Sequence, residues 1–161
     1  MVNESTGNPY SDFTANPLKF IDMIQGSVGN QIIVDKNMSS GGKAGVAVWI
    51  DFDRSGTFDL NERILADGPN TNTTASATFE VPANAYVGST DKYVVMRVAM
   101  AKDGIPVNCT NFDNGEVEDY TVRISKLQAA NAVNQDEILI YPNPVKSVLN
   151  VKNISKKANY K

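Results

Sequence analysis

The sequence predicts an all-β fold, an antiparallel β-sandwich of the jelly-roll or immunoglobulin-like kind, on three observations. Apolar residues recur with period two in several short runs. Clusters of Gly, Pro, Asn and Asp separate those runs, and no stretch carries the 3.6-residue period of an amphipathic helix. With 161 residues, 42% of them hydrophobic, and a mean hydropathy of −0.27, the chain has enough apolar material for one ordinary domain and a fragment.

Residues 1–9 are polar, end in Gly7-Asn8-Pro9 and read as a linker. Tyr10 to Thr14 alternates aromatic with polar and opens the first strand, and Gln31 to Val34 forms a weak second one. Ser39-Ser40-Gly41-Gly42 is a turn. In Val46 to Ile50, the apolar residues Val46, Val48 and Ile50 alternate with Ala47 and Trp49, so both faces of this strand are expected to be buried. Asp67-Gly68-Pro69-Asn70 and the Asn/Thr run to Thr74 read as a loop. Ala77 to Val81 is a strand that stops at Pro82, which has no N–H to donate. Tyr93 to Met100 is the most apolar run and is expected at the centre of a sheet, with Val94, Met96, Val98 and Met100 on one face. Asp103-Gly104 marks a turn, and Gly115 to Ile124 is the last strong strand of the domain. Tyr120 near its start suits a tyrosine corner and suits plain core packing equally well.

The strand Val46–Ile50 runs directly into a loop dense in oxygen-bearing side chains, DFDRSGTFDLNE. Asp51, Asp53, Ser55, the carbonyl of Thr57, Asp59 and Glu62 fall at positions 1, 3, 5, 7, 9 and 12 of a calcium loop, with Gly56 at the sharp turn of position 6. Ca²⁺ takes six to eight oxygen ligands, which this spacing supplies within one short closure. Without a cation the four carboxylates repel one another. The element before the loop is a strand rather than a helix, and the loop is single. The ion is therefore expected to pin strands together rather than to serve a paired sensor.

The composition excludes much other chemistry. The chain has no histidine, so Ser-His-Asp and Cys-His catalysis and histidine metal sites are ruled out. Cys109 is the sole cysteine, which rules out a zinc–thiolate cluster and an internal disulfide. Oxygen ligands remain, and they favour Ca²⁺ over transition metals. A net charge of −3 and a pI near 4.9 leave no electrostatic footprint for nucleic acid. No apolar run approaches the length of a membrane span, so none is expected. MVNESTGNPY lacks the features of a signal peptide, and Met1 is expected to be an arbitrary boundary.

Alternation in Gly115–Ile124 places Tyr120, Val122 and Ile124 on the core face and, extended backwards, Glu118 and Glu116 with them. A carboxylate turned inward needs a partner. The motifs VWIDFDRSGTFDLNE and NGEVEDYTVRI, with a VPA segment and MRVAM between them, resemble the GEVED domain, a β-sandwich module of secreted Bacteroidota proteins. Gly115, Glu116, Val117, Glu118 and Asp119 spell its name, and residues 10–125 form the expected domain. Ser55 stands where the family usually has Asp or Asn, which implies weaker calcium affinity. Members often carry paired cysteines, and Cys109 has no mate. The resemblance makes the GEVED strand a fixed partner of the calcium-loop strand. On that ground Glu116, Glu118 or Asp119 is expected to reach the ion or to pair with Arg63 or Arg97; parity favours Glu118, and a bulge would hand the role to Asp119.

Residues 126–136 are a polar, alanine-rich linker. From Ile138 the chain reads ILIYPNPVKSVLNVKN and resembles the start of the C-terminal sorting domain of type IX secretion cargo, through Tyr141, Pro142, Asn143, Pro144, Leu149 and Asn150. Residues 137–161 would be a truncated example. Together the resemblances imply a secreted or cell-surface module, handled by the type IX secretion machinery. The expected role is non-catalytic: calcium binding, with adhesion, glycan or cell-surface ligand binding, or service to a neighbouring enzyme domain. The alternatives are a glycoside hydrolase fragment using Glu116 and Glu118, and a purely structural spacer.

Overall fold

The computed structural model describes residues 9–37, 42–88, 92–108, 114–127, 139–141 and 150–152. The chain divides into two units, Met1–Lys126 and Leu127–Lys161. The described residues form strands and two short 3₁₀ turns, Pro17–Lys19 and Leu60–Glu62, with no α-helix among them. The all-β expectation is therefore borne out. No helix among the described residues is long and apolar enough to cross a membrane.

In the first unit the strands are β1 (Tyr10–Asp12), β2 (Ile21–Ile24), β3 (Asn30–Asp35), β4 (Ala44–Ile50), β5 (Arg63–Asn70), β6 (Thr74–Phe79), β7 (Val94–Lys102) and β8 (Gly115–Ser125). A six-stranded sheet runs in the order β1-β8-β7-β4-β5, with β2 also paired to β8, and β3 and β6 form a separate two-stranded sheet. The β4, β5, β7 and β8 ladders and the β3–β6 pair are antiparallel. In contrast to the expected all-antiparallel arrangement, β1 and β2 run parallel to β8. Both are distant from β8 in sequence, so no hairpin fixes their direction.

Each strand of the centre has a face for each side. Val46, Val48 and Ile50 join Val94, Met96, Tyr120, Val122 and Ile124 in the main core, against which Ile32, Val34, Ala77 and Phe79 of β3 and β6 pack. Ala47, Trp49 and Ala99 point the other way and are covered by Phe58. Every residue of β4 is buried, as the unbroken apolar run implies. At about 1.5–3 kcal/mol for each fully buried Val or Ile, Val46, Val48 and Ile50 together contribute about 5–9 kcal/mol.

Three strands depart from the sequence reading. β6 runs Thr74–Phe79 rather than Ala77–Val81, so it starts where a loop was expected and ends before Pro82. β2 was not anticipated, because four residues with one acidic side chain carry too little pattern. β5 passes through Asp67-Gly68-Pro69-Asn70, where a loop was expected. The reason is its position at the sheet edge, where proline loses nothing by lacking a donor. Gly68 and Pro69 fall where the ladder skips, between the pairs Ala44↔Asn70 and Val46↔Asp67. The buried Lys36 ties the end of β3 to this region: its Nζ donates to Asp67 Oδ2 at 3.0 Å, Asn70 Oδ1 at 2.7 Å and the Ala44 carbonyl at 3.3 Å. All three of its donors are thus used.

In the second unit β9 (Leu139–Tyr141) pairs antiparallel with β10 (Asn150–Lys152), Asn150 opposite Tyr141. Pro142, Asn143, Pro144 and Leu149 of the sorting motif lie outside the described residues, as do Cys109 and the turn residues Ser39 to Gly41.

Candidate metal centre

The loop begins where β4 leaves the sheet. The Asp51 N–H donates to the Val95 carbonyl at 3.0 Å, so the first acidic residue is still tied to β7. Phe52 turns into the main core and its carbonyl accepts the Tyr86 N–H at 2.6 Å. Phe58, six residues on, turns into the opposite core. The loop is therefore stapled to both faces of the sheet by aromatic side chains. Two residues have positive φ, Arg54 at 58° and Gly56 at 82°. The Gly56 value explains why glycine stands there: the backbone needs the left-handed region, while a Cβ would meet nothing within 4 Å.

Side chains and backbone knit the loop around its acidic residues. Asp51 accepts the Ser55 N–H at 2.9 Å on Oδ1 and the Gly56 N–H at 3.0 Å on Oδ2. Asp53 Oδ1 accepts the Ser55 N–H at 3.0 Å. Glu62, at the far end, closes the loop by accepting the Asp59 N–H at 3.1 Å on Oε2 and the Asp53 N–H at 3.4 Å on Oε1. The hydroxyls of Ser55 and Thr57 lie 2.9 Å apart beside them. Carboxylate oxygens of Asp51, Asp53 and Glu62 all fall within 4.8 Å of one another. Burial pushes the Asp51 and Glu62 carboxyls above their ordinary range, against the pull of the backbone N–H groups, whereas the Ser55 hydroxyl and N–H hold Asp53 below it.

This donor set fits a hard cation. Oxygens sharing one Ca²⁺ at about 2.3–2.6 Å stand no more than about 5 Å apart, and the three carboxylates meet that limit. All the donors are oxygen, two of the three acids are buried, and no basic side chain is salt-bridged to them among the described residues. Asp59 is not one of the three. It lines a shallow groove with Trp49, Leu60, Arg63, Val107 and Asn108.

Glu118 is not brought to this loop. In the register of the sheet it stands opposite Val98, which stands opposite Val48, so two strand spacings separate it from β4. Its inward parity is as expected, and Tyr120 Oη donates to its Oε2 at 2.8 Å. Glu118 Oε1 and Glu116 Oε1 are buried without a hydrogen-bond partner. Burial, chiefly, and the neighbouring Glu116 push the Glu118 carboxyl above the usual range. The partnership with Arg97 goes to Asp119 on the opposite face. Arg97 Nε and Nη2 donate to its two oxygens at 2.8 and 2.7 Å, and Tyr10 Oη adds a bond at 3.0 Å. The role of Phe58 was not apparent in the sequence reading. Its signal was its place between two ligand positions, on a loop otherwise polar.

The GEVED domain model matches residues 45–123. That range starts in β4, takes in the acidic loop and the Arg97–Asp119 pair, and ends in β8. No curated protein and no solved structure matches the chain significantly.

Proposed function

We propose that the GEVED-matched segment is a calcium-binding, non-catalytic β-sandwich module of a larger secreted or cell-surface protein. The observation that carries the reading is the convergence of Asp51, Asp53 and Glu62 within 4.8 Å at the end of a strand buried on both faces. Ca²⁺ there would be held by these carboxylates, with Ser55, the Thr57 carbonyl and Asp59 in the remaining loop positions. It would replace mutual repulsion by attraction and lock the exit of β4. An ion that binds only the folded chain stabilises it by mass action. Extracellular calcium is abundant enough to fill a site weakened by Ser at its fifth position. The GEVED match and the Tyr-Pro-Asn-Pro resemblance of the tail support export through the type IX machinery. A role beside adhesion, glycan binding or a neighbouring enzyme domain follows from that setting.

The arrangement of Glu116 and Glu118 supports the non-catalytic reading over a glycosidase. They sit two apart on one strand, on one face, and Glu118 is already bonded to Tyr120. A glycosidase flanks its bond from two sides. The test of the main proposal is calorimetric titration of the full chain with CaCl₂, alone and as the Asp51→Asn and Glu62→Gln variants. Saturable binding that either substitution weakens at least tenfold is expected. Absence of binding to the unaltered chain would overturn the proposal.

A further inference from the structure

Phe58 joins the acidic loop to the second face of the sheet. It lies between Thr57 and Asp59, so the backbone that positions those two residues positions its ring as well. Phe58 is 8% exposed and packs with Ala47, Trp49 and Ala99. The Arg97 guanidinium carbon lies 4.9 Å from the ring centroid while the same guanidinium grips Asp119. The Phe58 carbonyl accepts a hydrogen bond from Asn108 Nδ2, which belongs to the segment following β7. One residue thus contacts the floor of the sheet, its buried ion pair and a separate stretch of chain.

We infer that the loop is a cation-operated latch: an ion at Asp51, Asp53 and Glu62 holds Phe58 down on Trp49 and, through Asn108, holds the Val107–Asn108 segment to the loop. The inference rests on the calcium reading of the same site. Without the ion, three carboxylates confined within 4.8 Å repel, and the loop relaxes by spreading. Phe52 is anchored in the main core and its carbonyl by Tyr86, so the first part of the loop is the fixed end. Spreading must then be taken up further along, where Phe58 is seated on a smaller cluster. Trp49, Leu60, Val107 and Asn108 also line one groove, which widens as Phe58 lifts. By linkage the effect is reciprocal: a docked Phe58 strengthens cation binding by the factor by which the cation strengthens docking.

Trp49 is the only tryptophan in the chain, so its emission reports the surroundings of this one indole. In the full chain, CaCl₂ is expected to lower acrylamide quenching of Trp49 at least twofold and to slow amide exchange at Val107 and Asn108 at least tenfold relative to chelator. Phe58→Leu, which keeps an apolar cover, is expected to fold, to bind Ca²⁺ at least threefold more weakly, and to show a smaller quenching change. Asn108→Ala is expected to abolish the calcium dependence of exchange at Val107 while leaving that of Trp49 quenching. Calorimetric calcium binding with unchanged Trp49 quenching overturns the latch and leaves the ion site standing. No calorimetric binding at all removes the ion site, and the latch with it.

Discussion

Replacing Asp51 by Asn should cost stability in calcium and almost none in chelator, and this contrast separates an ion site from a solvated acidic turn. In chelator, the substitution removes two repulsive pairs, each at 4.8 Å or less. Coulomb's law makes each pair worth about 0.9 kcal/mol in water and more at the lower effective dielectric near a protein surface, so the relief is at least about 2 kcal/mol. Against this, Asp51 accepts N–H groups on both oxygens, and Asn keeps only one acceptor. Losing a hydrogen bond to a charged group costs about 1.5–3 kcal/mol. The two effects nearly cancel, and the variant should unfold within about 1 kcal/mol of the parent in chelator. In calcium at a hundredfold excess over Kd, the parent gains about 2.7 kcal/mol, whereas a variant that binds tenfold more weakly gains about 1.4 kcal/mol, so the gap is at least about 1.3 kcal/mol. For a domain of this size that gap is about 5 °C in Tm. Thermal unfolding by circular dichroism at constant ionic strength, in EGTA and in CaCl₂, measures all four values. A variant equally destabilised in both conditions would show that Asp51 serves only as a hydrogen-bond acceptor, and the reasoning would fail.

Three further substitutions test the scaffold. Arg97→Met strips the buried Asp119 carboxylate of its guanidinium partner, with Tyr10 Oη still donating to it, and should cost about 3–5 kcal/mol in urea unfolding. Adding Asp119→Leu should recover a substantial part, and a double variant no better than the single would count against a desolvated ion pair. Lys36→Met removes the donor shared by Asp67, Asn70 and the Ala44 carbonyl, and a loss of about 1–3 kcal/mol is expected from the stranded buried acceptor, against none if the lysine were solvated. Glu118→Gln should gain stability relative to the parent as pH rises. The carboxyl has its folded-state pKa raised, mainly by burial, so its contribution is fully present below the unfolded glutamate range and is lost as pH climbs through the folded value. Gln escapes that loss. Urea midpoints should therefore be similar near pH 4 and favour the variant at pH 8, and the reverse order at pH 8 would refute the assignment.

What the sequence made legible follows from where physical pattern is strong. β4, β7 and β8 are central strands, and their alternation or unbroken apolar character is dictated by burial on one or both faces. The acidic loop was legible because ligand spacing is set by the closure of one short segment, independent of the rest of the fold. β5 was not, because the breaker residues Gly68 and Pro69 are tolerated at an edge, and edge status depends on partners remote in sequence. The parallel pairing of β1 and β2 with β8 is a long-range choice that no local pattern encodes. Lys36 reads as an ordinary polar residue beside a turn, and becomes a buried triple donor only once β3, β4 and β5 are assembled around it.

The acidic strand β8 shows what parity decides and what it leaves open. Alternation assigns a side chain to a face, and the structure keeps Glu118 with Tyr120 as alternation requires. Alternation says nothing about how far along and across the sheet that side chain lies from another site. The register supplies it: the last column before the acidic loop is Ile50, Met96 and Tyr120, and the Glu118 column is one step further in, with Val98 and Val48. At about 4.8 Å per strand and about 7 Å per two residues, the backbone of Glu118 is about 10 Å across and 7 Å along from the end of β4. No glutamate side chain spans that. The residue one step on, Asp119, faces the other way and meets Arg97 directly across the β7–β8 ladder. The adjacent acids therefore divide by face: Asp119 pairs with Arg97 across the β7–β8 ladder, beside Phe58, and Glu118 places its carboxyl on the main-core face. Their separation, rather than a shared contact with the ion, is how β8 is coupled to the loop, since it is Arg97 that touches both Asp119 and the Phe58 ring.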